Sequence, residues 1–172
     1  NLSQGQQAKA GLLVALAYRP ELLVLDEPSS GLDPVVRRDM LEVMIRTVAN
    51  EGRTVFFSSH LLDEIERVSD QLAMIHQGRI ELCGRLDELR DGHREYLLRF
   101  DEPQHGVPAF RAALRVTGEG KSWAVLCAGA GGDILDQARR LGGQVVGDRV
   151  PTLDEIFFAR ASRQNQEVVR TS

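Results

Sequence analysis

Two adjacent acids end a short apolar run in the first part of the chain. Leu22–Leu25 is wholly apolar, and Asp26 and Glu27 follow it directly. Such a run is typical of a parallel strand that is buried on both faces, and ligands of open α/β sheets bind beyond the carboxyl ends of the strands. One acid is suited to holding Mg²⁺ through water, while its neighbour can accept a proton from an attacking water. For the pair alone, a strand that ends in a loop with two solvated acids is the more ordinary interpretation.

A second group of residues could bind an anion at the start of a helix. Ser3 followed by Gln6 is a capping-box pattern, and the predicted helix runs until Pro20 forbids its continuation. Gly5 in its first turn lets a ligand approach the exposed backbone N–H groups. Together with the positive end of the helix dipole, these groups form an anion site. An ordinary capped helix explains this motif equally well when it is considered alone.

His60 is the third candidate for chemistry. It follows a predicted buried strand, Thr54–Phe57, and is therefore expected at the same sheet edge as the two acids. Between the two strands, Asp33 and Pro34 form a strong helix start, and Gly52 is expected to end that helix. A single histidine after a strand is more often an ordinary loop residue, so its significance depends on the acids beside it.

The rest of the chain is predicted to mix strands and helices. A short acidic helix over 61–68 precedes a hairpin that turns at Gln77-Gly78. After Gly92 the pattern predicts a strand at 96–100, a helix at 108–114, a strand at 123–127, a helix at 133–141, a strand at 145–146 and a capped helix from Thr152. This βαβαβα order predicts a small α+β unit.

Two glycine-rich segments each match part of a nucleotide-binding sequence pattern, but neither match is complete. Gly120-Lys121-Ser122 matches the end of the P-loop pattern GxxxxGK[ST], but Arg115 stands where the first glycine is needed, and a strand follows. The glycines at 129–132 fail the dinucleotide pattern GxGxxG because Ile134 occupies its last glycine position. We predict a hairpin turn at the first segment and a loop before a helix at the second.

The composition indicates a globular chain and argues against several kinds of partner. The 172 residues are 42% hydrophobic with a formal net charge of −4, which offers no basic footprint for nucleic acid. The longest apolar stretch, at residues 12–18, is far shorter than the about 18 residues of a membrane-spanning helix. Cys83 and Cys127 are far apart and form no CxxC pair, so neither a zinc site nor a disulfide partner is predicted.

The order of these motifs resembles the second half of an ABC-type ATPase, the nucleotide-hydrolysing subunit of ABC transporters. Leu2–Gln6 is similar to that family's signature motif, Leu22–Pro28 to Walker B, Ser30–Pro34 to the D-loop and Ser58–His60 to the switch segment. The resemblance implies an α/β fold, a partial P-loop NTPase core with parallel strands, followed by a small α+β C-terminal domain. Pro151–Phe157 is similar, more weakly, to the closing element of ABC-2-type exporter ATPases.

The resemblance also implies a role for each site residue. Glu27 would be the catalytic base, His60 would contact the γ-phosphate, and Asp26 would be the acid associated with Mg²⁺. Asp33 would belong to the loop that couples two ATP sites. The signature residues would contact ATP that is bound by a partner subunit: Ser3, Gln4, Gly5 and Gln6. Gln4 departs from the family's pattern, which most often has glycine at that position.

Partners and location follow from the same resemblance. In the family, two ATPase subunits form a head-to-tail dimer around two ATP molecules, and a separate membrane-spanning permease carries the substrate. We therefore expect ATP and Mg²⁺ as cofactors, a cytoplasmic protein held at the inner face of the membrane through the permease, and transport in the export direction. Because no P-loop precedes the signature motif, the chain is expected to be a fragment or a truncated product that is inactive alone.

Domain boundaries and two alternatives complete the prediction. Residues 1–92 are expected to form the ATPase part, residues 93–161 a C-terminal extension and residues 162–172 a polar tail. One alternative is a soluble ABC-class ATPase that works on DNA or ribosomes, although such relatives usually carry coiled coils or a second cassette. The other alternative is a non-catalytic remnant that dimerises with a full ATPase and regulates it.

Overall fold

The protein is known from a computed structural model, which describes residues 3–170 apart from the side chains of residues 4 and 163–170. The chain divides into two compact units, Asn1–Ser69 and Asp70–Ser172. The domain boundary expected at residue 92 stays a prediction. The first unit contains α1 (Gln4–Ala17), β1 (Leu22–Leu25), α2 (Pro34–Glu51), β2 (Thr54–Phe57) and α3 (Leu62–Val68).

The second unit is built mainly from antiparallel strands. Its elements are β3 (Gln71–His76), β4 (Arg79–Arg85), α4 (Leu86–Asp91), β5 (His93–Phe100), β6 (Ala113–Glu119), β7 (Ser122–Ala128), α5 (Gly132–Arg140), β8 (Gly143–Arg149) and α6 (Leu153–Arg170). Strands β3 and β4 form one hairpin, and the remaining four strands form a sheet in the order β6-β7-β5-β8.

Side-chain caps fix both long helices of the first unit where the sequence predicts them. The Ser3 hydroxyl accepts a hydrogen bond from the Gln6 N–H at 3.3 Å, and the Gln6 side chain accepts one from the Ser3 N–H at 2.9 Å. Asp33 Oδ1 accepts from the N–H groups that open α2, and Gly52 ends α2 in the left-handed conformation with φ 64°. The two capping motifs therefore determine where α1 and α2 begin.

Strands β1 and β2 pair in parallel, with Leu25 opposite Phe57 at their carboxyl ends. The prediction that both faces of this pair are buried is wrong. Leu23 is 4% exposed, whereas Val24 and Phe56 are 63% and 67% exposed. Only one face of the pair is covered, because Leu23 packs in a core with residues of α1 and α2. The alternate residues of each strand point to the opposite face.

The hairpins of the second unit follow from their turn residues. Gln77 and Gly78 both have positive φ, 47° and 74°, as a two-residue hairpin turn of this kind requires. Gly120 also has positive φ, 55°, between β6 and β7. The segment that resembles the end of a P-loop is therefore a hairpin turn, as predicted.

The helix predicted over residues 108–114 is wrong. Residues 108–112 contain only a turn, and the segment continues as β6, which pairs antiparallel with β7. Phe110 is buried in the core of the four-stranded sheet, and this packing holds the segment. The backbone groups of the next residues, in β6, form hydrogen bonds with β7. The predicted βαβαβα order is consequently also wrong: after Gly92 the order is β5, β6, β7, α5, β8, α6.

A network of charges joins α6 to the sheet of the second unit. Thr152 and Glu155 form the predicted capping box of α6, and Arg149 binds Glu155 through two hydrogen bonds of 2.8 and 2.6 Å. These bonds lower the pKa of Glu155 to about 2. Arg149 also pairs with the buried Glu95 of β5. The helix continues to Arg170 through residues expected to be a polar tail, and residues 171 and 172 lie outside the described part.

Candidate active site

The two acids lie at the carboxyl end of β1 and are held by one serine. Ser58, the residue after β2, donates a hydrogen bond to Asp26 Oδ1 at 2.6 Å and accepts one from the Glu27 N–H at 2.8 Å. Its own N–H donates to the Leu25 carbonyl at 3.0 Å, which continues the strand pairing by one residue. Sequence reasoning quoted Ser58 within a motif but assigned it no role. Its position after the second parallel strand is the signal that could have identified it.

His60 completes this group. Its Nδ1 lies 2.7 Å from Glu27 Oε2, and both side chains remain accessible, with 64% of the imidazole and 36% of the carboxylate exposed. Because a carboxylate can only accept, Nδ1 is the donor, which leaves Nε2 for another partner. The structure therefore brings Asp26, Glu27 and His60 together at one sheet edge, as the sequence predicts.

The backbone of Glu27 is strained. Its φ of 45° is in the left-handed region, which is uncommon for a residue that has a side chain. Such conformations cost on the order of 1–3 kcal/mol and persist where the surroundings fix them. Here the Ser58 hydroxyl binds the Glu27 N–H, and the Ser30 N–H donates to the Glu27 carbonyl at 3.0 Å.

The first turns of α1 and α2 form a second group of candidate residues. A Cβ at Gly5 would lie 3.3 Å from the methyl groups of Val36, so glycine allows these turns to pack closely. This packing role was missed by sequence reasoning. Ser3 accepts from the Gln6 N–H within the cap, which leaves the proton of its hydroxyl to donate elsewhere. Asp33 is engaged in capping α2, and the side chain of Gln4 lies outside the described residues.

An open cleft adjoins the acids. Residues from α1, among them Gln7 and Gly11, line it together with Asp26, Glu27 and Pro28. Among the described residues, no group of three or more His, Cys, Asp or Glu side chains could hold a metal ion. Asp26 by itself is still suited to Mg²⁺, because this ion keeps several waters and is usually bound through one or two carboxylates plus phosphate oxygens.

Comparison with known proteins finds a matching family model and several similar proteins. A family model described as "AAA domain, putative AbiEii toxin, Type IV TA system" matches residues 1–65. An uncharacterized ABC transporter ATP-binding protein of Nostoc sp. is 32% identical over 165 residues, which are 95% of this chain and 49% of that protein. The bacitracin transport ATP-binding protein BcrA of Bacillus licheniformis is 38% identical over 95 residues, covering 55% of this chain and 31% of BcrA.

The chain is similar to ABC transporter ATP-binding proteins. It spans about half the length of the Nostoc relative. A dimeric ATP-binding cassette solved in a post-hydrolysis state with ADP and Pi is 25% identical, with a TM-score of 0.46, over 49% of this chain and 36% of that chain. Among the described residues, no helix combines the length and the apolar character that a membrane span needs.

Proposed function

We propose that this chain forms part of an ATP-hydrolysing subunit that couples hydrolysis to transport by a separate membrane subunit. The observation that carries the proposal is the contact between Glu27 and His60 at the carboxyl end of β1 and β2. A base beside a hydrogen-bond donor, both accessible and placed at a sheet edge, can position and activate a water for phosphoryl transfer. The relatives' shared description as ATP-binding proteins of transporters supports it.

Each residue of this group has a separate task in the proposed reaction. The Glu27 carboxylate accepts a proton from the attacking water, and His60 orients that carboxylate through Nδ1–H. When the second ring nitrogen also carries a proton, Nε2–H can donate to the γ-phosphate. A positioned general base contributes about 10²–10⁴-fold to a rate. Ser58 keeps Asp26 and the Glu27 backbone at a fixed separation. Mg²⁺, when bound near Asp26, neutralises charge on the phosphate oxygens.

The start of α1 serves a different nucleotide in this proposal. The Ser3 hydroxyl proton, which has no acceptor among the described residues, and the unpaired N–H groups at the very start of α1 are donors for a γ-phosphate. In a head-to-tail dimer, that phosphate belongs to ATP bound by the second ATPase subunit, and Asp33 at the start of α2 lies in the segment that couples the two sites. Contact between the first turns of α1 and α2 through Gly5 and Val36 supports the coupling.

We further propose that the transporter is an exporter and that the subunit lies at the inner face of the membrane through its permease. The similarity to BcrA, whose name describes bacitracin transport, supports a role in transport. The capping box at Thr152 and Glu155 gives the segment that resembles an ABC-2 exporter element a defined structure as the start of α6. Transport of labelled substrate into inverted vesicles that contain the assembled transporter tests the direction, and uptake into right-side-out vesicles alone would contradict it.

Glu27→Gln tests the proposed hydrolysis. In the complete ATPase we expect steady-state turnover to fall by about 10²-fold or more, since the amide no longer accepts the proton, while binding of MgATP persists. The matched control is Glu119→Gln, because Glu119 is exposed at the end of β6. Phosphate release and nucleotide binding are measured for both variants. Undiminished turnover in Glu27→Gln would refute the catalytic assignment and favour a non-catalytic regulator.

A further inference from the structure

We propose that Glu64 is a positioning residue that fixes the loops carrying Glu27, His60 and Asp33 relative to one another. The proposal rests on the function proposed above for those three residues. Glu64 belongs to α3 and is 1% exposed, and its side chain is bonded or paired with residues from three separate segments of the first unit. It touches none of the residues assigned to the reaction, so its effect would pass through its partners.

The first two partners are serines next to the catalytic residues. Ser29 donates to Glu64 Oε2 at 2.6 Å, and Ser29 lies two residues after Glu27. Ser59 donates to the same oxygen at 3.1 Å, and Ser59 immediately precedes His60. One carboxylate oxygen therefore joins the loop after β1 to the loop after β2. These two hydrogen bonds hold the two chain segments that carry Glu27 and His60.

Ser59 also fixes the chain on the other side of His60. Its hydroxyl oxygen accepts a hydrogen bond from the Leu61 N–H at 3.1 Å while its proton goes to Glu64. The residues before and after His60 are thereby held through a single hydroxyl. This arrangement restricts the backbone of His60, whose own side chain is mostly exposed. Removal of the Glu64 carboxylate would free the proton of Ser59 and weaken that restriction.

The third connection leads to the start of α2. Arg37 Nε lies 3.4 Å from Glu64 Oε1, and a terminal nitrogen of Arg37 donates to the Leu32 carbonyl at 3.5 Å. Leu32 immediately precedes Asp33. The carboxylate of Glu64 is therefore linked through one arginine to the segment proposed to couple two ATP sites.

The chemistry of this contact favours positioning over simple stabilisation. Arg37 Nε and Glu64 Oε1 are both buried and make no hydrogen bond with any described residue, so their pairing is electrostatic only. A buried ion pair is a weak contributor to stability, and apolar residues of similar size often replace it without loss. Glu64 lies one helical turn before Val68, on the side of α3 where an apolar residue is expected. An apolar residue at this position could not supply the carboxylate oxygen that accepts hydrogen bonds from both Ser29 and Ser59.

Nuclear magnetic resonance of the 172-residue chain tests the positioning directly. In the unaltered chain we expect a nuclear Overhauser contact between the His60 ring and the Glu27 side chain. Glu64→Ala should abolish it, and Glu64→Gln should restore most of it, because the amide oxygen still accepts from Ser29 and Ser59. Asp63→Asn on the exposed side of α3 is the matched control and should change nothing. An unchanged contact in folded Glu64→Ala would overturn the proposal.

Kinetics of the complete ATPase give the second readout. A displacement on the order of 1 Å can cost about 10²-fold in rate, so Glu64→Ala should lower kcat by about 10- to 100-fold with little change in KM for ATP. If Glu64→Ala does not fold, Ser59→Ala decides the matter, since it removes only the hydroxyl beside His60. Equal losses in kcat and thermal stability for Glu64→Gln and Glu64→Ala would indicate a merely structural residue. Failure of the Glu27→Gln test would remove the proposed function, whereas the resonance experiment would still decide whether Glu64 positions His60.

Discussion

At the scale of single residues, short hydroxyl side chains fix the geometry of the site. Ser58 joins Asp26 to the backbone of Glu27, and Ser59 joins the His60 turn to Glu64. Serine suits these positions because one oxygen both donates and accepts at short range. The acids and the imidazole can therefore stay exposed to a ligand while their backbones are held by neighbours that do not react.

At the same scale, His93 allows a prediction about how the stability of the chain depends on pH. The residue is 3% exposed, and its Nδ1 donates to the Leu89 carbonyl at 2.6 Å. Its Nε2 lies 2.9 Å from a nitrogen of Arg160. Because the arginine can only donate, Nε2 accepts and the ring is neutral. Burial lowers the pKa of His93, and the charge of Arg160 adds to this, although the Leu89 bond opposes it. The unfolded chain, with a pKa of about 6.5 at this residue, then binds more protons than the folded chain just below that pH.

We therefore expect the contribution of His93 to stability to be complete above about pH 6.5 and to be lost as the pH falls towards the lowered pKa of the folded state. Urea unfolding at about pH 7.5 and about pH 5.5 measures this contribution. His93→Gln, which does not titrate, should lose less free energy of unfolding between the two pH values than the unaltered chain. Identical losses would show that His93 does not sense pH.

At the scale of elements, the β6–β7 hairpin shows how pairing overrides local preference. The residues before β6 have a proline-led pattern that favours a helix, yet Phe110 packs in the core and β6 pairs along β7. Gly118 is the element's most restricted residue, because its φ is 146° and a Cβ there would lie 2.3 Å from the Ser122 carbonyl oxygen. The close approach of two backbones at this point requires glycine.

Gly118→Ala should therefore destabilise the second unit by more than about 2 kcal/mol, since backbone strain and a clash with fixed backbone atoms act together. Gly106→Ala is the matched control, because nothing lies within 4 Å of a Cβ at that position. The control should stay within about 0.5 kcal/mol of the unaltered chain. Free energies of unfolding from urea titration decide the comparison, and similar values for the two variants would contradict the described hairpin geometry.

At the scale of the whole molecule, the proposed function gives the chain residues for two parts of an ATP site but no complete phosphate cradle. In that proposal the acids with His60 form one part, and the start of α1 forms the other. The 172 residues contain no GxxxxGK[ST] sequence, and that pattern supplies the N–H groups and the lysine that hold the β- and γ-phosphates. Val24 and Phe56 are exposed apolar residues on the open face of β1 and β2.

The 172-residue chain alone should accordingly bind MgATP no more tightly than a dissociation constant of about 1 mM. Isothermal titration with ATP, in the presence and absence of Mg²⁺, measures this. The complete ATPase serves as the positive control. Saturable, Mg²⁺-dependent binding of the 172-residue chain at micromolar concentration would contradict the expectation that the chain is inactive alone because it has no P-loop sequence.

The sequence by itself determined the features that depend on local chemistry. The caps at Ser3 and Asp33, the stop at Gly52 and the hairpin turn at Gln77-Gly78 were all predictable, because each needs only a few neighbouring residues. Parallel strands that end in Asp26-Glu27 and before His60 also predicted that these side chains meet.

Only the tertiary structure decided the features that depend on residues far apart in the chain. It made 113–119 a strand, because β7 supplies its hydrogen-bond partners. It left one face of β1 and β2 exposed, because α1 and α2 pack against the other. It also brought Ser29, Ser59 and Arg37 to Glu64. No local pattern contains these contacts, since their partners come from separate elements that meet only when the first unit is folded.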